Sequence, residues 1–138
     1  MQPEPITVKT TVRANIQRVW ECWTSPEHIV KWNFASDDWH CPAATNDLQP
    51  GGRLCATMAS RDGKMSFEFE GVYREVSPPN ALSFVLGDGR AVVLHFSEDR
   101  GVTTVTETFD PENENPREMQ QEGWQAILEN FRKHVENH

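Results

Sequence analysis

Asn115-Pro116-Arg117-Glu118-Met119-Gln120-Gln121-Glu122-Gly123-Trp124-Gln125-Ala126-Ile127-Leu128-Glu129-Asn130-Phe131-Arg132-Lys133-His134-Val135 lies near the end of the sequence. Trp124, Ile127, Leu128, Phe131 and Val135 stand at helical spacings, so they share one face of a single long helix. Asn115 suits the N-cap, Pro116 the first helical position and Glu118 the carboxylate of a capping box. A helix over about 116–136 is roughly 30 Å long, enough to cross a small domain.

What precedes this helix is mostly strand. Ile6, Val8 and Val12 alternate with polar residues. Asn15 caps a short amphipathic helix carrying Ile16, Val19, Trp20 and Trp23. Ser25-Pro26 opens a second one with Ile29 and Trp32. Periodicity then fails from Phe34 to Pro50, an irregular stretch in which part of 43–49 reads as an edge strand. From Gly51 onward apolar alternation returns: Leu54, Ala56 and Met58; Met65, Phe67, Phe69 and Tyr73; Leu82, Phe84 and Leu86; Val92, Leu94 and Phe96; then Val102 to Phe109. Asp62-Gly63 and Asp88-Gly89 are hairpin signals, Pro78-Pro79-Asn80 breaks the pattern, and Asp99-Arg100-Gly101 is a further turn. The reading is one α+β domain over 1–138. It has a strand, two short helices, a meander giving an antiparallel sheet of six or seven strands, and a long terminal helix over the apolar face of that sheet.

Composition narrows the function classes. The formal charge of −8 on 138 residues repels phosphate backbones and anionic membranes, so neither nucleic acid nor membrane is an expected partner. No apolar run approaches a membrane span. Met1-Gln2-Pro3-Glu4-Pro5 lacks the basic and apolar regions of a signal peptide, so the expected location is cytoplasmic. Cys22, Cys41 and Cys55 form no Cys-x-x-Cys pair and read as reduced thiols, with Cys22 packed and Cys41 the most exposed.

Several strings resemble the helix-grip fold of the START-like (SRPBCC) superfamily, and within it the family named after the C-terminal domain of the activator of the ninety-kilodalton heat-shock chaperone ATPase. They are Val19-Trp20-Glu21-Cys22-Trp23-Thr24-Ser25-Pro26-Glu27, Asp47-Leu48-Gln49-Pro50-Gly51-Gly52-Arg53, Gly71-Val72-Tyr73-Arg74-Glu75-Val76 with Pro78-Pro79, and Gly123-Trp124 with the apolar positions after it. The likeness spans about 6–136. It implies a curved sheet wrapped around the terminal helix and a largely apolar cavity for a small hydrophobic or amphipathic molecule. Some relatives are cyclases or other enzymes. The first strand begins so close to the N-terminus that no additional chaperone-binding domain is expected, nor a role as a chaperone activator.

Within that frame Phe67, Phe69, Phe84, Phe96 and Trp124 are expected as cavity walls, and Trp32 beside them. Glu107 shares the parity of Val105 and Phe109, which points it inward. A buried carboxylate costs several kcal/mol unless paired, hydrogen-bonded or protonated. Three readings stay open: a bulge or rim position reaching water, a ligand anchor or acid/base group, or a buried salt bridge. Asp38, Trp39 and His40 read as a solvated loop anchored by Trp39, or as an acid/base pair beside the cavity. Their spacing matches no metal motif, and no metal or cofactor is expected. His95 falls on the outer face. There is no Gly-x-Ser-x-Gly elbow and no glycine-rich phosphate loop. The expectation is a binding protein, monomeric or weakly dimeric. The alternatives are a cyclase- or hydrolase-type enzyme using Glu107 or the Asp38/His40 loop, and a chaperone-associated or other protein-interaction module acting through the sheet's outer face, where Glu68 and Glu70 stand.

Overall fold

Residues 4–137 are described by the computed structural model. In chain order the elements are β1 (Ile6–Val12), α1 (Ile16–Thr24), α2 (Pro26–Trp32), β2 (Trp39–Asn46), β3 (Arg53–Ser60), β4 (Ser66–Ser77), β5 (Ala81–Leu86), β6 (Ala91–Asp99), β7 (Val102–Phe109) and α3 (Arg117–Glu136). The seven strands form one curled antiparallel sheet in the order β1-β7-β6-β5-β4-β3-β2. Consecutive strands from β2 to β7 are neighbours, as hairpins and short turns dictate. Only β1 travels, crossing the helical pair to lie beside β7.

The inner face carries the core. Ile6, Val8 and Val12 of β1, Leu82, Phe84 and Leu86 of β5, Val92, Leu94 and Phe96 of β6, and Val105 and Phe109 of β7 are all buried. Each fully buried aliphatic or aromatic side chain contributes about 1.5–3 kcal/mol. Asn15 caps α1 by accepting a hydrogen bond from Arg18 N at 2.9 Å. Trp20 and Trp23 then meet Phe96 edge-on, and Trp23 and Trp32 both pack on Phe131 of α3. These rings join all three helices to the sheet.

α3 lies along β1 and carries Leu128, Phe131 and Val135 inward. Its Gln125 also satisfies the outer edge of β1: the amide donates to Lys9 O at 3.0 Å and accepts from Lys9 N at 3.4 Å. An exposed strand edge is thereby covered by a helix side chain.

Several expectations shift. Pro116 itself is the N-cap of α3 and makes no side-chain cap. Asn115 instead bonds to Glu112. Gln120, one turn before Trp124, is buried at the start of the helix, which the apolar stripe alone does not show. The segment read as an irregular loop contains β2 from Trp39 on, with a register slip between His40 and Ala43 that accommodates Pro42 on an edge strand. Cys41 is buried, not exposed, because it is the inward residue of that strand. His95 faces outward as its parity requires.

Candidate functional site

A pocket of about 300 Å³ lies between the inner face of the sheet, α2 and the first half of α3. Its walls are mainly apolar: Trp23, Ile29 and Trp32 from the helical pair, Leu54, Met58, Phe69 and Phe84 from β3–β5, and Trp124 and Ile127 from α3. Phe84 is seated by Gly71 on the neighbouring strand, where a β-carbon would come within 2.6 Å of the ring. Phe69 meets Phe84 and Trp124 edge-on at 6.1 Å. Phe67 lines the pocket but is 52% exposed, so it forms the rim, with Trp39 beside it at 5.8 Å.

Polar groups at the pocket fall into two kinds. Most are already engaged. Gln120 holds the β7–α3 connection: its carbonyl accepts from Glu112 N at 2.9 Å, and its amide donates to Asn115 O at 2.8 Å and Glu112 O at 3.2 Å. Arg90 donates to Asp88 at 2.7 Å. Glu107 is different. It sits mid-strand on β7, opposite Val8 on one side and Leu94 on the other, with no register shift at either pairing. Only 6% of it is exposed, and no hydrogen bond or ion pair from the described residues reaches it. Burial alone raises its pKa to about 8. At neutral pH the carboxyl is therefore predominantly protonated, a neutral group that both donates and accepts. The strand pairing carries no bulge at Glu107, and no ion pair from the described residues reaches it, so its carboxyl faces the pocket space.

Trp32, Phe67, Phe69, Phe84, Glu107 and Trp124 thus converge on one space. Phe96 does not. It lies on the inner face of β6, but at the end covered by Trp20 and Trp23, and is core. Asp38, Trp39 and His40 stay outside as well. Asp38 is exposed and accepts from Ser36 Oγ, while Arg61 of the β3–β4 hairpin clasps the carbonyls of Asp37 and Asp38. His40 borders a separate, open cleft with Arg61, Lys133 and His134. No Asp38–His40 pair faces the pocket. Leu54 and Met58 also line the pocket, on the face that their shared parity gives them. Gln120 carried no signal, being a polar residue in an otherwise apolar stripe.

The long α3 against a curled seven-stranded sheet, with two short helices after β1, is the arrangement that the sequence resemblance implies. The family model described as activator of Hsp90 ATPase homolog 1-like protein matches residues 13–136. The chain belongs to this family. An AHSA1-like protein from Aeromonas hydrophila is 43% identical, with a TM-score of 0.91 over 96% of this chain and 92% of that one. A protein from Cytophaga hutchinsonii is 51% identical, with a TM-score of 0.82 over the same shares, 96% and 92%. A protein from Chromobacterium violaceum shares the fold at 18% identity, with a TM-score of 0.87 over 97% of this chain and 99% of that one. Comparison with curated proteins gives no match. Membership therefore accounts for the fold, and the chemistry rests on the site itself. No helix among the described residues is long and apolar enough to cross a membrane.

Proposed function

We propose that this protein binds a small amphipathic molecule in the pocket between sheet and α3, with Glu107 as the polar contact inside an apolar envelope. The observation that carries this reading is the unpartnered Glu107 carboxyl opening onto that space. An unpartnered carboxyl at 6% exposure carries a desolvation cost that a ligand hydrogen bond offsets. Pockets of this size with apolar walls and few polar groups suit compact ligands. The protonated carboxyl favours a ligand presenting a carbonyl or ether oxygen to the β7 wall, with rings or alkyl carbons against Phe84, Phe69 and Trp124. A cytoplasmic protein acting alone or as a weak dimer, without nucleic acid or membrane as partner, accords with this reading.

A second reading rests on the same group. A carboxyl with a pKa of about 8 is a general acid at neutral pH, so cyclisation or hydrolysis of the bound molecule is chemically accessible. A tryptophan-fluorescence screen of fatty acids, aromatic polyketides and flavonoids tests binding. At least one compound should saturate, and Glu107→Leu should weaken it. Lack of any saturable binder would reject the carrier reading. Product formation abolished by Glu107→Gln, with binding retained, would favour the enzyme.

A further inference from the structure

Away from the pocket, three helices bring two imidazoles and a thiol together. Cys22 of α1, His28 of α2 and His134 of α3 place one ligand atom each within 4.8 Å of the others. His28 Nδ1 and His134 Nε2 face each other at 2.9 Å. Cys22 and His134 are buried and His28 is half-buried, so the cluster is not a chance meeting of solvated surface groups. His134 also borders the open cleft beside α2, which gives an ion a route in. Cys22 and His28 lie six residues apart and His134 106 residues further on, a spacing that matches no metal motif; only the packing of the helices unites them.

We propose that Cys22, His28 and His134 form a binding site for one thiolate- and imidazole-preferring cation of the Zn²⁺ class. Thiolate sulfur with two imidazole nitrogens is a borderline-soft donor set that selects such ions over Mg²⁺ or Ca²⁺. Tetrahedral Zn²⁺ with bonds of about 2.0–2.3 Å needs its nitrogens roughly 3.3 Å apart and sulfur roughly 3.6 Å from each. The imidazoles would separate by a few tenths of an ångström and the thiol approach by on the order of 1 Å. Binding replaces the Cys22 S–H bond by an S–Zn bond and releases that proton to solvent. With Nδ1 of His28 on the metal, its Nε2–H faces Glu21, whose Oε1 lies 3.8 Å away. A small rotation of the Glu21 side chain would close this to the carboxylate–imidazole–metal hydrogen bond that orients ligating histidines. The fourth position stays open to water. Such an ion would fasten α1 and α2 to α3 behind the pocket wall, where Trp32 Nε1 already donates to Cys22 O at 3.0 Å.

Co²⁺ titration of reduced, chelator-stripped protein tests the site. One equivalent should produce a thiolate-to-cobalt band in the near ultraviolet with tetrahedral bands in the visible, and one equivalent of Zn²⁺ should abolish them. Cys22→Ser should remove the thiolate band. His28→Gln should weaken Zn²⁺ binding by more than the roughly 10-fold expected of Glu21→Gln. Cys55→Ser, in the separate exposed cluster with Glu68 and Glu70, should change nothing. If Cys22→Ser does not fold, the half-buried His28→Gln still decides. Absence of a band in folded wild type, equal Zn²⁺ affinity in His28→Gln, or a band lost only in Cys55→Ser would leave a structural His–His hydrogen bond and overturn the site.

Discussion

Trp124 lies flat on Phe109, with ring centroids 3.8 Å apart and planes 10° from parallel. The stack fastens the first half of α3 to the end of β7, two residues from Glu107 on the same face. It ties the geometry of the pocket to the docking of the helix.

Phe131 and Trp124 should differ in what they contribute. Phe131 is fully buried against Trp23 and Trp32 at 4.8 and 4.9 Å. Phe131→Ala should cost about 3–5 kcal/mol in urea unfolding. Trp124 is only partly buried because one side of it faces the pocket. Its replacement by Ala should cost about half as much. Equal losses at both sites would mean that Trp124 is core and not wall.

Glu107 makes stability depend on pH with a definite sign. Its folded pKa is about 8 against 4.5 for the free group, so the folded state holds the proton more tightly. The contribution is fully present below pH 4.5, is lost progressively as pH climbs from there, and is gone once pH passes the folded value of about 8. By pH 7 the loss is on the order of 3 kcal/mol. Glu107→Gln should therefore stabilise the protein at pH 7 relative to wild type and lose most of that advantage at pH 4. Paired denaturation curves at the two pH values check this, and a mutant effect independent of pH would refute it.

Tyr73 reaches across the sheet. Its hydroxyl donates to Asn46 Oδ1 at 2.8 Å, and Asn46 Nδ2 donates to Thr24 O at 2.6 Å, linking β4, β2 and the end of α1. Burial pushes the Tyr73 hydroxyl up to about 12, so it stays a donor throughout the working range. Tyr73→Phe should cost about 1–2 kcal/mol by leaving Asn46 without its partner. Thermal unfolding measures it.

Gly71 seats a pocket wall. A β-carbon there collides with Phe84, so Gly71→Ala must displace the ring. The expected cost is about 1–3 kcal/mol, together with weaker binding of any pocket ligand. Unchanged affinity in this variant would place the ligand elsewhere.

How much was legible depended on whether periodicity or juxtaposition carried the information. The stripe from Trp124 to Val135 and the alternation along β7 are local, and they placed α3 and turned Glu107 inward. Trp39-His40-Cys41 was hidden because Pro42 breaks the strand pattern, and only pairing with β3 rescues it. Phe96 was assigned to the correct face of its strand. Parity says nothing of which neighbour covers that face, and Trp20 and Trp23 do. Gln120 and the meeting of Cys22, His28 and His134 depend on how elements distant in sequence pack. The sequence pattern does not encode that packing locally.

If the Glu107 carboxyl receives the ligand inside the pocket, the carboxyl itself must report the binding. Carbon-detected NMR of the Glu107 side-chain carboxyl, with the best compound from the fluorescence screen added stepwise, tests it most directly. That carboxyl should shift saturably, with matching changes at Phe84 and the Trp124 indole and none at His40. A saturating ligand that leaves the Glu107 carboxyl unmoved would contradict it.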